Sequence, residues 1–303
     1  MNTEDKIIEI FCKVDDFCKK FEKAKKGFVL TKDNNKQSRN KPCKLSDSEV
    51  ISILIFFHLK RFRNLKIFYT QYVQKHMTKE FPKTVSYNRF VELEQKALVP
   101  MVLYLQTCCL GKCTNISFVD STKLAVCNNK RIHSNKVFKG IAERGHTTTG
   151  WFYGFKLHII INDKGEILSF MITQGNTNDR VPLTNEKFIK KIIGKLVGDK
   201  GYLSEKLSNI LFINGIQLIT KLRKNMKGKI MSISDSILLR KRAVIESVND
   251  ELKNICQIEH TRHRCFANFI SNMITGLIAY SFFPKKPSIK CETIKDNQLA
   301  LFY

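Results

Sequence analysis

Apolar positions divide this chain into two textures. Through residue 110 they recur at helical spacing; from Thr114 onward they alternate or cluster in short runs. Residues 1 to about 30 read as a helix, and the polar stretch 31–42 reads as a linker. Ser46, with Glu49 three residues later, forms a capping-box pattern that opens the apolar helix "EVISILIFFHLKRF". Further helices are predicted over "IFYTQYVQKHM" and from Ser86 through "SYNRFVELEQKALVPMVLYLQ". Next come a short strand "ISFVDSTKL", a basic irregular stretch at 128–150, and a hairpin of "WFYGFKLHIII" and "EILSFMIT" about the turn "NDKG". A helix over "LTNEKFIKKIIGK", a strand "KLVGDKGY", a helix near "SEKLSNILFIN" and a strand "IQLITKL" follow. After a basic loop at 223–229, Leu238, Ile245, Val248, Leu252 and Ile255 predict one helix across 238–253. This order describes a mixed sheet with helices packed on it, preceded by an all-helical region.

Charge sharpens the picture. With 52 Lys and Arg against 27 Asp and Glu, the formal net charge is +25. Such an excess points to a polyanionic partner, nucleic acid first and an acidic membrane surface second. The acidic start does not read as a signal peptide. Polar residues dilute the apolar run at 266–283, which is expected to be a buried helix, not a membrane span. Ten irregularly spaced cysteines read as reduced thiols; Cys108, Cys109 and Cys113 cluster, but no Cys-x2-Cys pair supports zinc.

Three acids stand in matched places. Asp120 and Asp199 each follow a short apolar strand, and Glu246 flanks the apolar stripe of the 238–253 helix. Neighbouring strands would bring both aspartates to one sheet edge, within reach of a helix crossing it. Converging carboxylates repel, and a divalent cation of the Mg²⁺ type relieves that repulsion. Singly, each has a plainer reading: Asp120 as a turn cap, Asp199 as a turn residue before Gly201, Glu246 as the i,i+4 partner of Arg242.

The segments "FVDSTKL", "GWFYGFKLHIIINDKGEI", "ITQGNTNDR", "VGDKGYLS" and "RAVIESVNDELK" resemble the DDE transposases of bacterial insertion sequences, most closely the insertion-sequence 982 family. The resemblance implies an α/β, RNase H-like mixed sheet flanked by helices. It implies Asp120, Asp199 and Glu246 as catalytic and metal-holding acids, with two Mg²⁺ per site and Mn²⁺ as a substitute. Related enzymes carry Tyr-x2-Arg-x3-Glu-x6-Lys around the glutamate. Arg242, Glu246 and Lys253 fit this spacing, while Leu239 stands at the tyrosine position.

The expected division is 1–42 for an N-terminal helix and linker, 43–112 for a DNA-end-binding helical region, 113–284 for the catalytic domain and 285–303 for a tail. Arg242, Lys253, Lys123 and Lys156 are the expected DNA contacts. Lys156 and His158 alternate along one strand and share a face, either near the metals or at the sheet edge. Asp179 is a weak alternative to Asp199, and Trp151 either stacks on an extruded base or packs in a core. The expected partners are double-stranded DNA, as inverted-repeat ends and target, and further copies of the chain, as a homodimer or higher assembly. No membrane partner is expected, and the expected location is bacterial cytoplasm, at the nucleoid. A nuclease on the same core that cuts without joining, and a non-catalytic DNA-binding descendant, are the competing readings.

Overall fold

The computed structural model describes residues 3–26, 43–221, 231–259 and 263–289. The expected linker at 31–42, the basic loop at 223–229 and the end of the tail lie outside these residues. The chain forms two compact units. The first joins Met1–Cys109 with Leu252–Phe282, and the second joins Leu110–Glu251 with Phe283–Tyr303.

In the first unit, α1 (Thr3–Lys26) buries Ile7, Ile10, Val14 and Cys18 along one stripe. The capping box forms as expected: Ser46 Oγ accepts from Glu49 N at 3.2 Å, and Glu49 Oε2 accepts from Ser46 N at 2.7 Å. It opens α2 (Asp47–Leu59), whose apolar residues surround its axis and are buried on every side. Next come α3 (Leu65–Ile67), a π-helical turn at Phe68–Val73 and α4 (Gln74–His76). The helix expected from Ser86 is two, α5 (Tyr87–Lys96) and α6 (Leu98–Tyr104), meeting at Ala97.

The helix α11 (Phe266–Ser281) belongs to this unit and packs on α2, α5 and α6. The expected catalytic segment 113–284 therefore does not hold as one block. An apolar helix needs cover on all faces, and the N-terminal helices supply it. Glu94 lies inside this packing at 2 % exposure, and burial pushes its carboxyl up to about 7. No helix among the described residues is long and apolar enough to cross a membrane.

The second unit is built on a six-stranded sheet. Its strands are β1 (Ile116–Cys127), β2 (Glu143–Thr147), β3 (Gly150–Asn162), β4 (Ile167–Gln174), β5 (Gly194–Val197) and β6 (Ile216–Ile219). β3 pairs antiparallel with β1, β2 and β4, while β5 runs parallel to β1 and β6 parallel to β5. An antiparallel meander with two parallel strands beyond its first strand is the RNase H-like arrangement.

β2 escapes sequence reading because "ERGHT" has no apolar alternation. The helix expected from Leu183 shrinks to α7 (Glu186–Ile189), behind a 3-10 turn at Val181–Thr184. Further on, α8 (Glu205–Ile213), α9 (Ile233–Lys241) and α10 (Ala243–Asp250) complete the unit. The faces of β1 divide by alternation. Val119 joins Ile160, Phe188, Ile189, Leu207 and Leu211 in one core cluster. Phe118, Asp120 and Leu124 point to the other face, opposite Ile161, Ile159 and Phe155 of β3.

Candidate active site

Asp120 sits inside β1, not at its end as the sequence suggested, because pairing with β3 continues to Cys127. The parallel register pairs Ile116 with Lys195 and Phe118 with Val197. Two residues farther along each chain, Asp120 and Asp199 stand level. Asp199 has just left β5, and its carboxylate accepts from Gly201 N at 2.7 Å, capping a 3-10 turn at Lys200–Tyr202.

The single helix expected over 238–253 is also broken. α9 ends before Arg242, α10 starts after it, and a π-helical turn occupies Glu251–Ile255. The break places the Arg242 guanidinium on Glu246, 2.5 Å away. Arg242 and Leu239 also line a cavity of about 270 Å³ with Gly198, Asp199, Lys200 and Lys221. Arg242 thus faces Asp199 across this cavity and binds Glu246 directly. Leu239, in place of the tyrosine, contributes an apolar wall.

α10 packs against β1 on the Asp120 face. Its Val244, Ile245 and Val248 are buried, while Glu246 is exposed. Asn249, one turn beyond Glu246 and 7 % exposed, donates from Nδ2 to Asp120 Oδ2 at 3.0 Å. Sequence reading missed Asn249. The signal was its i+3 spacing from Glu246, which puts the two on neighbouring positions of one helix surface.

The electrostatics tie the acids together. Burial pushes the Asp120 carboxyl up to about 6, and the charges of Asp199 and Glu246 add to the rise. The Ser121 backbone N–H and the Arg242 guanidinium oppose it. Arg242 therefore acts on two of the three carboxylates, Asp120 and Glu246.

Among the described residues, no three His, Cys, Asp or Glu side chains are gathered closely enough to hold one ion. Each acid is engaged locally: Asp199 with Gly201, Glu246 with Arg242, Asp120 with Asn249. The donor chemistry nonetheless fits a hard divalent cation. All candidate ligands are oxygens, their charges repel, and Asn249 Oδ1 is buried with no hydrogen-bond partner.

The expected basic contacts are placed differently. Lys156 is opposite Lys123 in the register, and both point away from the Asp120 face. Lys156 is 8 % exposed and donates to Asp179 Oδ1 at 3.0 Å and to Thr177 O at 2.9 Å. This corrects its expected role in DNA contact: a buried, neutralised ammonium has little left to offer a phosphate. Asp179 also accepts from Ser121 Oγ at 2.8 Å. His158 shares this face, and its Nε2 lies 2.8 Å from Thr173 Oγ1. Burial lowers its pKa to about 4, which keeps the ring neutral. Lys123 donates to Thr149 Oγ1 at 2.7 Å. Lys253, in the other unit, pairs with Glu259 at 3.2 Å.

A protein-family profile described as "Transposase DDE domain" matches residues 110–266, just over half of the chain. Comparison with curated proteins finds no match. Among solved structures, the chain is similar to a piggyBac transposase synaptic complex with hairpin DNA. Identity there is 12%, with 82% of this chain and 69% of that chain covered at a TM-score of 0.42. It is also similar to the Mos1 strand transfer complex at 10% identity, covering 86% of this chain and 82% of that chain at a TM-score of 0.23. The fold assignment follows from the strand order and not from these two likenesses. By the extent of the profile match, this chain belongs to the family of DDE-domain transposases.

Proposed function

We propose that this transposase binds the inverted-repeat ends of a bacterial insertion sequence of the 982 type. It cuts a phosphodiester there and joins the freed 3′-hydroxyl to target DNA. Asp120, Asp199 and Glu246 are the acids that would hold two Mg²⁺ ions, or Mn²⁺ in their place. The observation that carries this reading is the placement of the acids. The β1–β5 register levels Asp120 with Asp199, and α10 brings Glu246 to the Asp120 face.

When bound, such ions activate an attacking oxygen and stabilise the leaving one at phosphorus. The protein's own residues prepare the site. Asn249 fixes the orientation of the Asp120 carboxylate. Arg242 neutralises Glu246 in the free protein and is placed to turn toward a phosphate when the carboxylate is recruited elsewhere. In the first step water attacks phosphorus, the 3′-oxygen leaves, and a proton passes to solvent. In the second, that 3′-hydroxyl is the nucleophile and a target-strand 3′-oxygen leaves. Two ends must be joined, so a dimer or larger assembly is the working unit. Lys123 and Lys253 are further candidate phosphate contacts, and the 43–109 helices are the candidate end-binding region.

The test uses oligonucleotides carrying the inverted repeats that flank the gene, with Mg²⁺ and a supercoiled target. Wild type should nick the ends and join them, while Asp120→Asn and Glu246→Gln should do neither. Equal nicking by all three proteins would overturn the acid assignment. Nicking without joining would favour the nuclease reading.

A further inference from the structure

Trp151 is the only tryptophan of the chain and is 63 % exposed, so it does not serve a core. It stands at the start of β3, where the β2–β3 hairpin turns through Thr148 and Thr149. Its register partner is His146, whose ring meets the indole edge-on with centroids 5.0 Å apart. The Trp151 carbonyl accepts from Asn129 Nδ2 at 2.9 Å, which ties a 3-10 turn at Asn129–Arg131 to the same strand. The hairpin is well seated. A Cβ on Gly145 of β2 would come within 2.1 Å of the Gly175 carbonyl, so only glycine permits that approach.

The surroundings are basic. Residues 128–150 hold Lys130, Arg131, Lys136, Lys139 and Arg144 against one acid, Glu143. All five cations are exposed, and none is salt-bridged among the described residues. Arg144 and His146 share the β2 face that carries their cross-strand neighbours Tyr153 and Trp151. Along β3, Trp151 has the same parity as Ile159, the residue opposite Asp120. The separation along the strand is about 26 Å at about 3.3 Å per residue. An exposed indole with Arg144 on its face of the hairpin and the basic turn at Asn129–Arg131 tied to its strand suits one kind of partner, a polyanion that also offers flat aromatic faces.

We infer that the β2–β3 hairpin is a second DNA-contact surface, where Trp151 stacks on an unpaired base while Lys130, Arg131 and Arg144 hold the adjoining phosphates. This rests on the transposase reading, since strand cleavage exposes unpaired bases beside the site.

The experiment titrates the full chain, in EDTA so that no cutting occurs, with a 20-nucleotide single strand, the same strand as a duplex, its RNA counterpart, and heparin. Emission from the lone tryptophan reports stacking in the wild type, and anisotropy of a fluorescein-labelled strand reports affinity for every protein. The single strand should quench it strongly, and heparin should not. Trp151→Ala should bind the single strand about 5- to 100-fold more weakly and the duplex as wild type does, with Trp151→Phe restoring most of the loss. Circular dichroism verifies that the variants fold.

Unchanged single-strand affinity in Trp151→Ala, quenching by heparin equal to that by DNA, or tighter binding of RNA would each overturn the inference. The outcomes for the two readings separate. A Trp151→Ala protein that binds normally, with Asp120→Asn inactive, sinks only this inference. Quenching by the single strand, with Asp120→Asn still cutting, sinks only the acid assignment.

Discussion

Asn249 on α10 donates its side-chain amide to Asp120 on β1 across 3.0 Å, while its own carbonyl oxygen has no hydrogen-bond partner. A buried amide oxygen left unpaired is costly, and its neighbour is an acid whose carboxyl burial pushes up to about 6. Asn249→Ala should therefore lower end cleavage by about 10- to 100-fold, the usual effect of removing a group that orients a metal-holding residue. Raising the Mn²⁺ concentration should recover part of the loss. Cleavage at the wild-type rate across a metal titration would show that Asn249 only fills space.

Arg242 is paired with Glu246, so on the proposed reading it would compete with an ion for that carboxylate. Arg242→Gln should bind Mg²⁺ at least as tightly as wild type, read as a thermal upshift on adding the metal. The same variant should cut DNA at least about tenfold more slowly, because a phosphate partner is gone. A smaller metal-induced upshift than in wild type would contradict the competition.

Lys156 belongs to the packing of the sheet in this structure. Lys156→Ala should lower the melting temperature, with a cost of about 1–3 kcal/mol because Asp179 remains partly solvated. The slope of log Kd for end DNA against log salt should not change. A slope shallower by about one unit would instead identify Lys156 as a phosphate contact.

Glu94 gives a pH signature in the helical unit. Its carboxyl is raised from 4.5 to about 7 by burial. The unfolded chain ionises first as pH rises, so stability from this group is fullest below 4.5 and falls until about 7. The full cost is on the order of 3 kcal/mol. Glu94→Gln should melt higher than wild type at pH 8 and close to it at pH 5. Identical melting at both values would show the carboxylate to be compensated.

The parts legible in the sequence were those set by local rules. The Ser46 capping box, the turn at 162–165 and the apolar runs of β3 and β5 follow from short-range pattern. What escaped depended on partners distant in the chain. β2 exists because β3 is long enough to pair beyond β4, a fact no residue of "ERGHT" announces. The break at Arg242 lies in an uninterrupted helical pattern. Lys156 looked available because nothing near it in sequence reveals Asp179, 23 residues on. The three proposed acids can be picked out from apparent strand ends and helix spacing, although β1 runs on past Asp120, while the i+3 spacing of Asn249 from Glu246 takes on meaning only beside its partner Asp120.

Asp120 is clamped between β3 and the β5 side of the sheet, whereas Asp199 stands on a turn and Glu246 on an exposed helical position. The three acids therefore differ in freedom. The strand aspartate is an immobile reference point, and any adjustment to cations of different radius falls to the turn and the helix. On the proposed metal-holding role, tolerance for more than one metal would be built into the mounting of these side chains, two on yielding supports and one on rigid framework.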